Sequence, residues 1–339
     1  VIGGGPAGME AAVKAGRAGC RVILVEKEDR LGGRLNLLQG TFPDREHPAD
    51  ILQKKKAGMA ACANIEVRTG TEVISAARRG RGFECALESG GRTDQVAAGA
   101  VIVAAGFGLF DCARYGEYGY GIYPGVVTSL EFEELLRDWK EKNVKSGPGS
   151  AAFIQCVGSR DRSKGQPYCS KICCMYTARQ AGMFKELFPR SRCCVFYIDI
   201  RAAGKGCEEF VRSVIEEKKV RYFRGRPGKV LPDGGRLLVR SEDTLMGVPV
   251  EVEADVVVLA PAVVPGPGAA KIAGIFGIGT DRYGFPESAD GVTTASEGVF
   301  IAGGCGFAAG IREAVTQGAA AAAEAVAFVI DGGDGGRLD

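Results

Sequence analysis

Four cysteines, Cys156, Cys169, Cys173 and Cys174, fall within nineteen positions in the pattern C-x12-C-x3-C-C. Four thiolates converging on one point can hold a 4Fe-4S cube, here from a loop and the first turn of a helix. The adjacent Cys173 and Cys174 would make a strained disulfide with each other. The alternatives are buried thiols acting as small apolar residues, and structural zinc. Zinc usually takes pairs of the C-x2-C type, and no two of the chain's 12 cysteines have that spacing. The same absence removes the redox pair that a dithiol relay requires.

A second constellation opens the chain. Val1-Ile-Gly-Gly-Gly-Pro-Ala-Gly8 reads as a strand end running into a helix, with Gly3, Gly5 and Gly8 in the G-x-G-x-x-G positions. Gly3 allows the tight turn, Gly5 lets the backbone approach a pyrophosphate, and Gly8 lets helix and strand pack closely. Pro6 and Ala7 complete the loop. The helix predicted over 9–19 turns its positive end to the phosphates. A strand over 21–25 ends in Glu26, eighteen residues after Gly8, where a carboxylate can accept both ribose hydroxyls, and Lys27 follows it. Leu31-Gly-Gly-Arg34 adds a second close backbone approach at Gly33 and a cation at Arg34. Strand, glycine triplet, helix, strand and terminal acid in that order predict a dinucleotide site.

This pairing resembles the FAD-binding half of the two-dinucleotide-binding flavoproteins, the glutathione and thioredoxin reductase superfamily. Val101-Ile-Val-Ala-Ala-Gly106 is similar to their apolar strand and turn, implicating Ala104, Ala105 and Gly106. Gly298-Val-Phe-Ile-Ala-Gly-Gly304 resembles their last FAD strand and implicates Gly303 and Gly304. Val73 and Ile311, the first residue of a helix predicted over 311–327, complete the cofactor set that the resemblance implies. Where the superfamily usually has an Asp after the final glycine, this chain has Cys305. Its two readings are a space-filling residue and a thiol near the flavin ring.

The middle of the chain repeats the architecture, with strands predicted at 151–155, 194–199 and 255–259 and helices at 175–188 and 208–219. In place of a second glycine fingerprint stands Cys156-Val-Gly-Ser-Arg160, followed by the cysteine loop. The cysteines thus occupy the place where a nicotinamide cofactor's pyrophosphate would be held. The expected fold is α/β, with two Rossmann-like dinucleotide-binding domains of the glutathione/thioredoxin reductase type, the second inserted in the first. The expected division is 1–147 and 263–339 for FAD, and 148–262 for the inserted domain.

Tyr118-Gly-Tyr-Gly121, Val127-Thr-Ser-Leu-Glu-Phe-Glu133, Phe153 to Asp161, Tyr168 to Tyr176, Tyr197-Ile-Asp-Ile-Arg201 and Gly204-Lys-Gly206 resemble the A-type flavoprotein subunit of heterodisulfide reductases. The same type occurs in the quinone-interacting oxidoreductase of sulfate reducers. The resemblance implies FAD and one 4Fe-4S cluster on Cys156, Cys169, Cys173 and Cys174. It also implies partner subunits, iron-sulfur electron carriers and conversion between two-electron flavin and one-electron cluster chemistry. The extra ferredoxin-like cysteines of longer members are absent, since Thr41-Phe-Pro43 leads into Asp44 to Pro48 without one. Two other functions stay open: an NAD(P)H-dependent flavin disulfide reductase and a non-catalytic component that holds FAD for assembly.

Composition narrows the remaining classes. The chain has 339 residues and a net charge of +2, from 43 basic and 41 acidic residues, which predicts neither nucleic acid nor an anionic membrane as partner. No run of about eighteen apolar residues appears, so no membrane span is expected. Abundant cysteine without a secretory segment points to a reducing compartment, the cytoplasm. Homodimerisation is left open, and Val1 lies inside a strand pattern, so residues are expected before it. His47, the single histidine, reads as an exposed loop residue, and Cys193, Cys194 and Cys207 as core thiols. Glu208 and Glu209 favour a helix dipole. Arg201 and Lys205 form a basic loop, equally suited to solvation and to a partner.

Overall fold

Parallel pairing on a short central segment organises the first unit. A computed structural model describes residues 1–332 of the chain. Ile2 bridges in parallel to both Val25 and Val103. Val22–Val25 pairs with Ile65–Arg68, and Val101–Val103 with Val299–Ile301, again in parallel. These central residues are apolar on both faces because helices Pro6–Arg17 and Ile311–Gly332 cover one side, while an antiparallel meander and helix Ala269–Phe276 cover the other. Thr71–Arg79, Gly82–Ser89 and Arg92–Ala98 form that meander.

Helix Pro6–Arg17 starts with proline at its first position, where no N–H is needed, and ends with Lys14 and Arg17 against the negative pole. It packs on Ile311–Gly332, whose Ala314, Ala321, Ala322 and Ala325 are buried in the same apolar cluster as Ala7 and Ala11. Small residues are required there, since a Cβ on Gly318 would fall on the Ala7 carbonyl oxygen. By length and composition alone the segment Ile311–Asp331 is apolar enough to cross a bilayer. Its alanine face is part of this unit's core.

The second unit is a five-stranded parallel sheet in the order Arg221–Arg224, Arg192–Tyr197, Ser150–Val157, Val256–Pro261, Val126–Thr128. Ser150–Val157 and Val256–Pro261 are buried at every position, as central parallel strands must be. Helices Ser129–Glu141, Cys173–Leu187 and Cys207–Glu216 belong to the same unit. A capping box starts the first: Thr128 Oγ1 accepts from the Glu131 N–H while Glu131 Oε2 accepts from the Thr128 N–H. Phe132 packs edge-on against Phe153 at 5.2 Å between ring centres, and Trp139 against Phe188 at 5.3 Å. Buried Cys193, Cys194 and Cys207 are core thiols, as expected, and Glu208 and Glu209 open the third helix.

Two Rossmann-like units with the second inserted in the first are thus present, but the division differs from the expected one. The first unit comprises 1–36, 49–108 and 264 onward, and the second 37–48 and 109–263. The first boundary lies at 108/109 rather than 147/148 because Val126–Thr128 hydrogen-bonds to Val257–Leu259 as an edge strand of the second sheet. The excursion 37–48 joins the second unit through the Gln39 N–H, which donates to Glu133 Oε2 at 2.8 Å, through Phe42 in the aromatic core, and through Arg45, 3.5 Å from Glu186.

Candidate nucleotide cradle and thiol cluster

The glycine turn of the first unit is closed on one side and open on another. Gly3 has φ of +107°, and a Cβ there would strike the carbonyl of Ala104. A Cβ on Gly8 would fall on the Gly3 carbonyl oxygen. Gly5 differs, because no protein atom lies within 4 Å of where its Cβ would be. That open side, at the N-terminus of Pro6–Arg17, is the approach a pyrophosphate needs. Ala104 N–H donates to the Ile2 carbonyl at 2.7 Å, which sets the Ala104-Ala105-Gly106 turn beside the triplet. Gly303 brings its backbone against Ala7, and its N–H donates to Gln317 Oε1 at 2.9 Å. A Cβ on Gly304 would enter the Phe107 ring.

Glu26 is buried at the strand end, where Oε2 accepts from the Gly4 N–H at 2.6 Å and Oε1 from the Glu28 N–H at 3.0 Å. Each oxygen keeps a lone pair for a ribose hydroxyl. Gly32 N–H donates to the Gly4 carbonyl at 2.9 Å and brings Gly33 beside Gly5. Arg34 donates to the Phe107 carbonyl at 2.8 Å, with its guanidinium 4.6 Å above the Phe107 ring centre. These residues fit FAD.

Other expected contacts take different positions. Lys27 is exposed and pairs with Glu28 at 3.6 Å. Val73 turns its side chain into the core with Leu87, which leaves only its main chain for a ligand. Helix Ile311–Gly332 carries its own acid near its first turn, since Glu313 Oε2 accepts from the Gly310 N–H. Cys305 is buried among Val25, Val103 and Ile301, its thiol donating to the Val103 carbonyl at 3.1 Å, and burial pushes its pKa up to about 11. It fills space in the core. His47 is exposed in a loop.

In the second unit the equivalent turn is closed by its own chain. Gly158 has φ of +79° with the Phe110 ring over it, and its carbonyl accepts from the Gln166 N–H at 2.7 Å. Arg160 N–H donates to the Tyr168 carbonyl at 2.9 Å, as does Ser159 Oγ at 3.0 Å. Ser170 N–H donates to Ser159 Oγ at 3.0 Å. Cys169 therefore lies between two residues anchored on Ser159, three positions beyond Cys156. The loop covers the turn on which a second dinucleotide would lie.

Cys156, Cys173 and Cys174 are buried together with Ala260, and Cys173 hydrogen-bonds to both other thiols. Those bonds raise the pKa of Cys173 well above the ordinary range, lower that of Cys156 and lower that of Cys174 to about 7. Cys169 is half-buried, its sulfur accepting from the Lys171 N–H at 3.3 Å. Among the described residues no three or more His, Cys, Asp or Glu side chains are spread as a metal-holding group. The three inner thiols lie in one buried cluster. Cys156, Arg160 and Lys171 have φ of +60°, +56° and +61°, a conformation that costs non-glycine residues on the order of 1–3 kcal/mol each and clusters at functional sites. All four cysteines remain thiols, free of disulfides. Four soft sulfur donors, Cys156 at a strand end, Cys169 on the anchored loop and Cys173 and Cys174 at a helix start, are of the kind an iron-sulfur group takes.

Asp161, Tyr115 and Arg226 were not foreseen. Asp161 accepts from the Tyr115 hydroxyl, from Arg226 Nη1 at 3.1 Å and from the Ser163 N–H at 2.7 Å. Arg226 also donates to the Ser159 carbonyl at 2.8 Å. The partners are 46 and 65 residues from Asp161, so no local pattern announces them. The Tyr115 hydroxyl is the chief cause that holds the Asp161 carboxyl well below the usual carboxylate range. A depressed carboxyl stabilises fully above its ordinary value, about 4, and loses that contribution as pH falls toward its folded value. Tyr115→Phe is expected to move acid unfolding, followed by Trp139 fluorescence, to higher pH. An unchanged acid midpoint would count against this loop anchor.

The family model described as pyridine nucleotide-disulphide oxidoreductase matches residues 1–144. The chain is 32% identical, over 98% of its length, to the second A-type iron-sulfur subunit of CoB--CoM heterodisulfide reductase from Methanopyrus kandleri, of which it covers 64%. The chain is a heterodisulfide reductase A-type homologue. A relative from Methanocaldococcus jannaschii, the A-type iron-sulfur subunit of its CoB--CoM heterodisulfide reductase, is 32% identical over 97% of the chain, which covers 63% of that protein. This A-type homologue thus spans just under two thirds of the length of these relatives. Thioredoxin reductase from T. acidophilum shares its fold, with a TM-score of 0.68 at 20% identity over 97% of both chains.

Proposed function

We propose that this A-type homologue is an oxidoreductase carrying FAD and one 4Fe-4S cluster, and that it transfers electrons within a heterodisulfide-reductase-like complex. When bound, FAD takes or gives two electrons and the cluster one at a time, which converts between pair and single-electron chemistry. Gly3, Gly5, Gly8 and the Ala104-Ala105-Gly106 turn would hold the pyrophosphate side of FAD, with Glu26 on the ribose. Cys156, Cys169, Cys173 and Cys174 would hold iron. The observation that carries this reading is the replacement of a second nucleotide turn by an anchored cysteine loop beside three thiols buried in one cluster. It speaks against an NAD(P)H-dependent disulfide reductase, whose pyrophosphate would need that turn open.

Other subunits and iron-sulfur electron carriers are the proposed partners, in keeping with the names of the relatives, which are components of larger reductases. A cytoplasmic location is part of the same proposal, and homodimerisation stays open. Iron, acid-labile sulfide and flavin content of anaerobically purified protein, with electron paramagnetic resonance after reduction, test it. About four irons and one FAD per chain are expected, the stoichiometry of one cube and one flavin. Cys174→Ser is expected to lose or alter the cluster signal while keeping FAD. Flavin without iron would leave a protein that holds FAD for assembly.

A further inference from the structure

Strand Ser150–Val157 is buried at every position, and Gln155 carries its only side-chain amide. The residue is 3% exposed. Its Oε1 lies 3.5 Å from the Cys174 sulfur, where it shares that thiol's single proton with the Asp199 carbonyl at 3.4 Å, and its Nε2 is buried with no hydrogen-bond partner among the described residues. An unmet buried donor costs about 1–3 kcal/mol, so such a group is retained where something else takes the bond. The strand geometry says what that something is. Alternation puts Gln155 on the face of Ala151 and Phe153, which pack with the helix that begins at Cys173 and Cys174. Regular alternation would send Cys156 to the opposite face, but its φ of +60° breaks the pattern, and its sulfur reaches Cys173. Gln155 and Cys156 thereby meet one group of thiols from adjacent positions.

The bond from Cys174 exists only while that sulfur carries a proton. A metal-bound Cys174 is a thiolate, which accepts and cannot donate, so the amide must present its N–H end instead. Turning the amide over exchanges Oε1 and Nε2 without moving the strand. Resting on the cluster reading above, we propose that Gln155 is a positioning residue. It donates a hydrogen bond to the Cys174 sulfur, fixes that ligand and makes the bound cluster easier to reduce. Hydrogen bonds to cluster sulfurs stabilise the more negative, reduced state and so raise the potential.

The full chain and its Gln155→Leu and Gln155→Glu variants, purified anaerobically, test this by iron and sulfide content and by potentiometric titration of the paramagnetic signal. Gln155→Leu is expected to retain iron with a more negative midpoint, and to lose an exchangeable-proton coupling that deuterium oxide removes from the wild-type signal. Gln155→Glu keeps the shape but replaces the donor with negative charge, so its midpoint is expected to be lower still. If the leucine variant does not hold iron, the glutamate variant alone decides by its midpoint. Equal midpoints in iron-loaded wild type and variant would overturn the inference. Wild-type protein without iron would overturn the cluster reading beneath it, a result separate from unchanged potentials.

Discussion

Replacing Arg179 by methionine is expected to lower the unfolding free energy by about 3–5 kcal/mol, as measured by chemical denaturation. Arg179 and Glu133 are 4% and 0% exposed. Arg179 Nη1 donates to Glu133 Oε2 at 3.1 Å, and its Nη2 donates to Oε1. Gln180 adds a bond to Oε1 at 2.6 Å, and the Gln39 N–H one to Oε2 at 2.8 Å. Removal of the cation leaves a carboxylate buried among neutral donors, and its desolvation is no longer offset. The pair itself has little net value, because two charges were taken out of water to form it. Arg179→Met with Glu133→Leu is therefore expected to recover much of the loss. A single variant within about 1 kcal/mol of wild type, the scale of a typical point substitution, would show that water reaches the pair.

The two glycines at the nucleotide turn are expected to fail in different ways. In Gly8→Ala the new methyl meets the Gly3 carbonyl, and neither the helix start nor the strand end can give way cheaply. Overpacking of that kind costs about 1–3 kcal/mol or more, so both melting temperature and flavin content should fall. Gly5 has φ of −74° and ψ of −177°, an extended conformation open to any residue, and a Cβ there would meet no protein atom within 4 Å. Gly5→Ala is therefore expected to leave thermal stability within about 0.5 kcal/mol of wild type, the usual range for a site without strain or lost contacts. Its flavin affinity should fall by at least about tenfold, equal to 1.4 kcal/mol, if the backbone there touches the pyrophosphate. Unchanged flavin binding in Gly5→Ala would remove that residue from the cradle.

The turn-forming parts of the fold were legible because their signals are local. A glycine triplet, a strand of Val and Ile and a terminal acid follow one another within 26 residues, and each constrains its neighbours. The membership of Val126–Thr128 was not legible, since three β-branched residues fit any sheet and only pairing with Val257–Leu259 assigns them. The same holds for 37–48, whose anchors Glu133 and Glu186 lie about a hundred or more residues away. At the thiol site the four cysteines were readable by spacing. Their arrangement was not, because it depends on the left-handed backbone at Cys156, a conformation that a cysteine does not advertise. Gln155 did carry a local signal, an amide at the end of the apolar run Ala151-Ala-Phe-Ile154.

The excursion at 37–48 has a consequence for how this molecule can be cut and rebuilt. The chain passes between its units at 36/37, 48/49, 108/109 and 263/264, so no single excision releases the second unit whole. A fragment spanning only 109–263 would lack Gln39 and Phe42, and so would deprive Glu133 of a donor and the aromatic core of a covering side chain. Such a fragment is not an exchangeable cassette. Recombination among related flavoproteins must carry two separate stretches of gene together or accept a frayed core, and a protease that nicks near 37–48 would loosen residues far along the sequence from the cut.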